Sequence, residues 1–346
     1  MNIKFWPSLH LLASVKIARE ILHKFDLKAV KNNFFTTKGE ISAEYSSEII
    51  SKINELKSGF NSPLFKTDQI LGIVRSLALE VVKWFLSHED ILTDVKLEFS
   101  DIYWYSHGVI DRFETAKNLV EDENIHVKRR FILACKYFFE GHVHALWENM
   151  LADEKISLAR QRGLVASMRY WISELNNGGI TDCIRMFKVA QSDEYFKENY
   201  LGIRCYFNKL EPQVQCRCLT YGITNGEIHH FDLYLCFSQM NVNELRILLY
   251  SLRESTRLRV IELFLYWPLQ HIFVEVVDQS WRFISHYNFR NILDFILNDK
   301  IFNCWHDVNY QQLLKDIWLR CPLTYKRRLK RDRIHTNIRH FVKVTY

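Results

Sequence analysis

Chain breakers are scarce in this sequence. Eleven glycines and five prolines serve 346 residues. Sheet-rich folds draw their tight turns from Gly, Pro, Asn and Asp, so a chain this poor in breakers lacks hairpin material. Long helices joined by short polar links need much less of it. Hydrophobic residues make up 48% and charged residues 25%, which is enough apolar surface for a folded core rather than a disordered chain. Aromatic residues reach 14% and give helices bulky faces to pack. The expectation is an all-α protein of stacked antiparallel helix pairs, as a degenerate helical array or an irregular bundle. No fixed repeat period survives alignment. Ile132-Leu133-Ala134-Cys135 and Leu233-Tyr234-Leu235-Cys236 match only loosely, and the ankyrin loop Thr-Pro-Leu-His is absent.

Along the chain, Ser8 is placed to cap a helix carrying Leu11, Leu12, Val15, Ile21, Leu22 and Phe25 on one side. Helices follow over 40–56 and from Thr67 through Phe85. The latter's apolar stripe is wide enough to be covered on more than one side. A further pattern over 101–120 is broken near Gly108. Helices are expected over 126–140, over 164–175 and beyond a joint at Gly141. Asn176-Asn177-Gly178-Gly179 is the clearest break and supplies an internal boundary near 176–180. Residues 181–206 read as a short helix and a longer one, Glu211-Pro212 as a break, and 214–221 as ambiguous. Helices then run over 229–237, 243–252, 256–267, 269–283 and 289–297, with Pro268 ending or kinking one of them.

No run of about 18 uncharged apolar residues occurs, so no membrane span is expected. The apolar patch Leu9–Val15 is interrupted by Lys16, Arg19 and Glu20 and reads as an amphipathic helix rather than a signal peptide. The eight cysteines (Cys135, Cys183, Cys205, Cys216, Cys218, Cys236, Cys304, Cys321) are irregularly spaced, mostly inside apolar patterns. They read as buried reduced thiols and imply an intracellular protein, cytoplasmic or nuclear.

A search for chemistry finds no catalytic motif: no Gly-rich phosphate loop, no His-Glu-x-x-His helix, no Gly-x-Ser-x-Gly elbow. Cys205, Cys216, Cys218, His229 and His230 mix thiols and imidazoles as zinc requires, but in no common finger spacing. Buried thiols and a solvated His pair explain them more simply. His142 and His144 point in different directions on a helix. His107 with Tyr103, Trp104 and Tyr105 reads as core packing or a pocket wall. Glu89-Asp90 and Glu121-Asp122-Glu123 read as solvated helix ends. No metal, cofactor or catalytic residue is therefore assigned.

The charge of the chain is concentrated at its C-terminus. Residues 305–346 carry ten Lys and Arg against three Asp, a balance of +7 against +6 for the whole chain. A helix is expected over 310–320, and Pro322 suits the first turn of another. Ile317, Cys321, Tyr325 and Leu329 recur every fourth residue. They line one face if the helix runs through, or two abutting faces if Pro322 breaks it. Lys326, Arg327, Arg328, Lys330 and Arg331 surround that line.

This stretch resembles a SOCS box, the short helical module of adaptors for elongin–cullin ubiquitin ligases. That module shows Leu, Cys four residues on, an apolar residue four further, a basic residue next, and Leu three later. Ile317, Cys321, Tyr325, Lys326 and Leu329 stand in those places, and the closing Phe341-Val342-Lys343-Val344-Thr345-Tyr346 is also similar. Ile replaces the first Leu, Pro322 replaces the usual Arg, and the cullin-contacting Leu-Pro-x-Pro is absent. The resemblance implies that Ile317, Cys321 and Leu329 enter an apolar groove of elongin C while the rest of the chain captures a target. With the local charge, it divides the chain into a helical body over 1–304, on which the resemblance is silent, and a basic module over 305–346. The same line of residues also suits packing of the last helices onto the body. The basic run suits a nuclear-localisation or nucleic-acid patch, but the neutral body offers no groove-reading motif. The expected function is a non-enzymatic protein-interaction adaptor, with elongin B–C as the candidate partner. The alternatives are a helical scaffold without a ligase link or a nucleic-acid-associated protein.

Overall fold

Ser8 opens the first helix as its spacing requires, its Oγ accepting from the Leu11 amide at 3.1 Å. Asp26 opens the second, accepting from the Ala29 amide at 3.0 Å. The computed structural model describes residues 4–60, 66–93, 95–160, 166–178, 200–226 and 228–342. Over these residues the protein is all-α, with no strand. The expected helices over 181–199, Cys183, Gly179 and the closing residues 343–346 lie outside the described residues.

Two compact units emerge. The first holds Met1–Val82, Ser106–Val109 and Leu245–Tyr346, and the second holds Lys83–Tyr105 and Ile110–Glu244. In chain order, the first unit begins with α1 (Leu9–Leu22), α2 (Leu27–Asn32) and α3 (Ala43–Phe60). The chain passes to the second unit within α4 (Thr67–Leu86). There it forms α5 (Glu89–Leu92), α6 (Arg112–Glu121), α7 (Val127–Tyr137), α8 (Glu140–Asn149) and α9 (Ala152–Ala159). It continues with α10 (Ala166–Asn176), α11 (Ile203–Tyr206), α12 (Pro212–Asn225) and α13 (His230–Gln239). It returns to the first unit within α14 (Val242–Ser251). There follow α15 (Glu254–Glu262), α16 (Phe273–Ser280), α17 (His286–Asp294), α18 (Tyr310–Arg320), α19 (Leu323–Leu329) and α20 (Arg333–Phe341). Residues 305–342 thus belong with the N-terminal helices, and the breaks between units fall inside α4 and α14 rather than near 176–180 or 304.

Several local expectations shift for physical reasons. Gly141 lies inside α8 rather than separating two helices, and a Cβ there would meet nothing within 4 Å. Glu211 and Pro212 do break the pattern: Leu210 and Glu211 are extended, and Pro212 begins α12, where a helical residue needs no amide proton, so residues 214–221 are helical. Residues 101–111 are mostly irregular, with Gly108 in the left-handed region at φ +80°. Residues 269–283 form a short α-helix flanked by 3₁₀ turns. Among the described residues no single helix is long and apolar enough to cross a membrane.

In the second unit the core closes around a histidine. His88 is fully buried and stacks on the Trp84 indole, with ring centroids 4.6 Å apart. Its Nδ1 is 2.6 Å from the Trp84 carbonyl oxygen, which can only accept, so Nδ1 carries the proton. Nε2 then accepts from the Tyr137 hydroxyl at 2.9 Å. Burial holds His88 down to about 3, helped by the charges of Arg112 and Lys136. A neutral imidazole thus forms part of the fold.

In the first unit α4 is approached at Gly72. A Cβ there would sit 2.4 Å from the Asp307 amide nitrogen, so only glycine lets the backbone of residues 306–307 lie against the helix.

Two predictions arise. Gly72→Ala should destabilise by roughly 2 kcal/mol or more through the backbone clash. Gly141→Ala should be neutral or stabilise by up to about 1 kcal/mol. Denaturant titration of both variants checks the contrast. His88 binds a proton when unfolded below pH 6.5 but not when folded until about pH 3. Stability should therefore fall as pH drops through that window, by about 1.4 kcal/mol per pH unit for this group. Stability measured between pH 6 and 4 should fall less steeply, by about one proton, in His88→Gln.

Candidate functional site

The chemistry-bearing side chains of the first unit gather where a π-helix meets the loop before α18. Phe295–Ile301 winds as a π-helix, a form frequent at functional sites. The loop folds back on it through Trp305 N–H to Lys300 C=O at 2.9 Å. This brings the buried Lys300 ammonium among four rings. Its Nζ lies 4.4 Å from the centroid of Trp305, 5.2 Å from Tyr266, 5.5 Å from Tyr310 and 5.6 Å from Phe295. Cation–π attraction strengthens when the cation is desolvated, so the cage offsets part of the cost of burying the charge. Arg75 of α4 lies over the Trp305 ring at 3.9 Å and donates to the carbonyls of Gly39 at 2.8 Å and Asn303 at 3.2 Å.

Asp307 is the anion of this centre and is only 1% exposed. Its Oδ2 accepts from Gln270 Nε2 at 2.7 Å, Ser76 Oγ at 3.1 Å and Tyr310 Oη at 3.4 Å. Burial pushes its carboxyl up, while the Lys300 charge and the bonds from Ser76 and Tyr310 pull it back down. Burial likewise lowers Arg75, against the charges of Glu40 and Asp307. With Lys300 5% exposed, amine and carboxylate are closed to a substrate, and the cluster acts as a clamp between α4, the residues around Gln270 and the start of α18. A cleft of about 340 Å³ opens beside it, lined by Lys66, Asp68, Trp305, His306, Asn309 and Gln311 among others. Its volume matches a small-molecule site, but its lining is more polar and exposed than such sites usually are.

The C-terminal residues singled out by their spacing come together, and they face inward. Ile317 is 1%, Cys321 4% and Leu329 0% exposed. Tyr325 is half-buried, donates from its hydroxyl to the Ile284 carbonyl at 2.8 Å, and packs against Trp281, His286 and Phe289. Pro322 does break the helix. Cys321 is extended at ψ 145°, and Pro322 caps α19. The line is therefore two abutting faces, α18 packed on α16 and α20, and α19 packed on α17. Burial pushes the Cys321 thiol up to about 11.

The basic residues face the other way. Arg327, Arg328, Lys330 and Arg331 are exposed. Lys326 is half-buried and donates to the Leu319 carbonyl at 3.1 Å. Arg320 pairs with Asp278 at 2.5 Å, and Arg290 with Asp332 at 2.7 Å. Asp332 also caps α20 by accepting from the Ile334 amide at 3.1 Å.

Of the remaining candidates, His229 and His230 lie together with ring centroids 4.2 Å apart, and His230 is buried rather than solvated. Cys205, Cys216, Cys218, His229 and His230 do not form a three-ligand group among themselves. His142 pairs with Glu121 at 3.1 Å without His144. His107 meets Phe5 edge-on. Of the seven described cysteines, none is in a disulfide; Cys135, Cys218, Cys236 and Cys321 are buried, Cys205 and Cys216 are intermediate, and Cys304 is exposed. Nothing in the sequence marked the Asp307 centre, because its partners lie 37 and 231 residues away. The one local hint was Lys300 with Asp299 and Asp307 inside the aromatic run from Phe295 to Tyr310.

No protein-family model matches the chain, and no curated protein matches it.

Asp307→Ala should destabilise by about 3–5 kcal/mol, because it strips a buried cation of its counter-charge and orphans three donors. Tyr325→Phe should cost only about 1 kcal/mol. Chemical denaturation of both variants provides the comparison.

Proposed function

We propose that the chain is a non-enzymatic protein-interaction scaffold that presents the outer surface of its C-terminal helices to a partner. The supporting observation is the division of that segment into an inward seam and an outward face. Ile317, Cys321 and Leu329 hold the helices in place. Leu319 and Leu323 stand outside at 57% and 67% exposure, next to the arginines of α19.

The four-residue spacing favours a second reading, a substrate receptor for an elongin–cullin ligase. On that reading Ile317, Cys321 and Leu329 leave the seam to enter elongin C. Exposing a fully buried apolar side chain costs roughly 1.5–3 kcal/mol, which a receiving groove returns only if it covers the side chain equally well. The seam must therefore open before elongin can bind.

Co-purification of the intact chain with elongin B–C decides between the readings. The scaffold reading expects no retention at micromolar concentration. Retention that is lost in Ile317→Glu but kept in the exposed Leu323→Asp would replace it with the ligase reading. A thermal melt of each variant separates lost binding from lost folding.

A further inference from the structure

We infer that the outer face formed by the end of α18 and α19 docks an acidic amphipathic helix of a partner protein. The inference deepens the scaffold reading above and rests on it.

Isolated exposed leucines are common on soluble proteins and need no explanation. Two features set Leu319 and Leu323 apart. They flank the break at Cys321–Pro322, and Lys326, one turn beyond Leu323, reaches the Leu319 carbonyl at 3.1 Å. Lys326 thus ties α19 to the end of α18, and the two exposed leucines stand four residues apart on either side of the break. Around them, Leu323, Arg327 and Arg331 recur every fourth residue, and Thr324 with Arg328 follows the same spacing one position on. All five are exposed. The exposed side of α19 is therefore an apolar end followed by Arg327 and Arg328, with Arg331 in the turn after the helix.

The acids of this segment do not offset these arginines. Asp307 is buried in the clamp, Asp332 is bound to Arg290, and Asp316 acts on Arg320 of α18 rather than on the arginines of α19. The outward field is positive, and charge complementarity selects an acidic partner. The leucines narrow the choice further. A phosphate backbone is held by cations and hydrogen-bond donors and would leave both leucines in water. An amphipathic helix with acidic flanks covers the leucines with its own apolar stripe and meets the arginines with carboxylates. Arg pairs with carboxylates in a bidentate fork, which fixes orientation as well as charge.

The test is a titration of the intact protein with a helical peptide of roughly 20 residues, Leu at i, i+3, i+4 and i+7 and Glu elsewhere. A scrambled peptide of the same composition and a single-stranded DNA of about 20 nucleotides are titrated in parallel. The amphipathic peptide should bind at least about tenfold more tightly than the scrambled one. Leu323→Asp should weaken it by about tenfold or more. Arg327→Glu with Arg328→Glu should weaken it and flatten its salt dependence. These residues are exposed, so the variants should keep the wild-type melting profile. Equal binding of both peptides would reduce the face to unspecific charge and overturn the inference. DNA bound more tightly than the peptide, and unaffected by Leu323→Asp, would also overturn it in favour of a phosphate surface. So would the absence of binding by any probe. The elongin experiment reads a different set of residues, Ile317 rather than Leu323, so failure of the scaffold reading and failure of this inference remain separate results.

Discussion

The first unit depends on one buried carboxylate. Asp307 accepts from Ser76 on α4, from Gln270 and from Tyr310 at the head of α18, and so joins segments separated by 231, 37 and 3 residues. Closing a loop as long as the first has an entropic cost that grows only slowly with its length. Desolvating a carboxylate is the larger cost, and three donors with a nearby caged ammonium offset it. The approach is set by Gly72, whose missing side chain leaves room for the Asp307 backbone. Take away the carboxylate and its partners become liabilities: three donors are orphaned, and the buried Lys300 loses its counter-charge, while Arg75 keeps Glu40.

Asp307 sits three residues before Tyr310, and Tyr310 begins α18. The clamp therefore determines where the C-terminal helices start. From there the seam of Ile317, Cys321 and Leu329 continues the packing, and the Tyr325 hydroxyl bonded to Ile284 holds α19 down. The surface ion pairs of Arg320 and Arg290 add little, since exposed pairs contribute about 0–1 kcal/mol. Position thus comes from the buried groups rather than from the charges at the surface.

Much of the helical content was legible because it rests on local signals. The Ser8 cap, the scarcity of breakers and the 3.6-residue stripes each act within one element. Gly141 misled because a breaker's meaning depends on its position, and it falls in the first turn of a helix, whereas Pro212 marks a true break because the residues before it are extended. The clamp was illegible for a different reason. Asp307, Gln270 and Ser76 are unremarkable where they stand in the chain, and only tertiary contact brings them together. The second unit repeats the lesson in His88, whose Tyr137 partner lies 49 residues on.

The C-terminal line shows the limit most clearly. Apolar residues at every fourth position state that a helix face will be buried, and they are silent on what buries it. A groove of another protein and a neighbouring helix of the same chain place the same demand on Ile317, Cys321 and Leu329. Pro322 is the residue that bears on the choice. By breaking the helix it splits the line between α18 and α19, so that each half rests on a different neighbour within the unit. Leu319 and Leu323 stand two residues off that line, which on a helix points them away from it, and both face water on either side of the break. The segment thus packs its apolar line and leaves two leucines and the arginines beside them exposed.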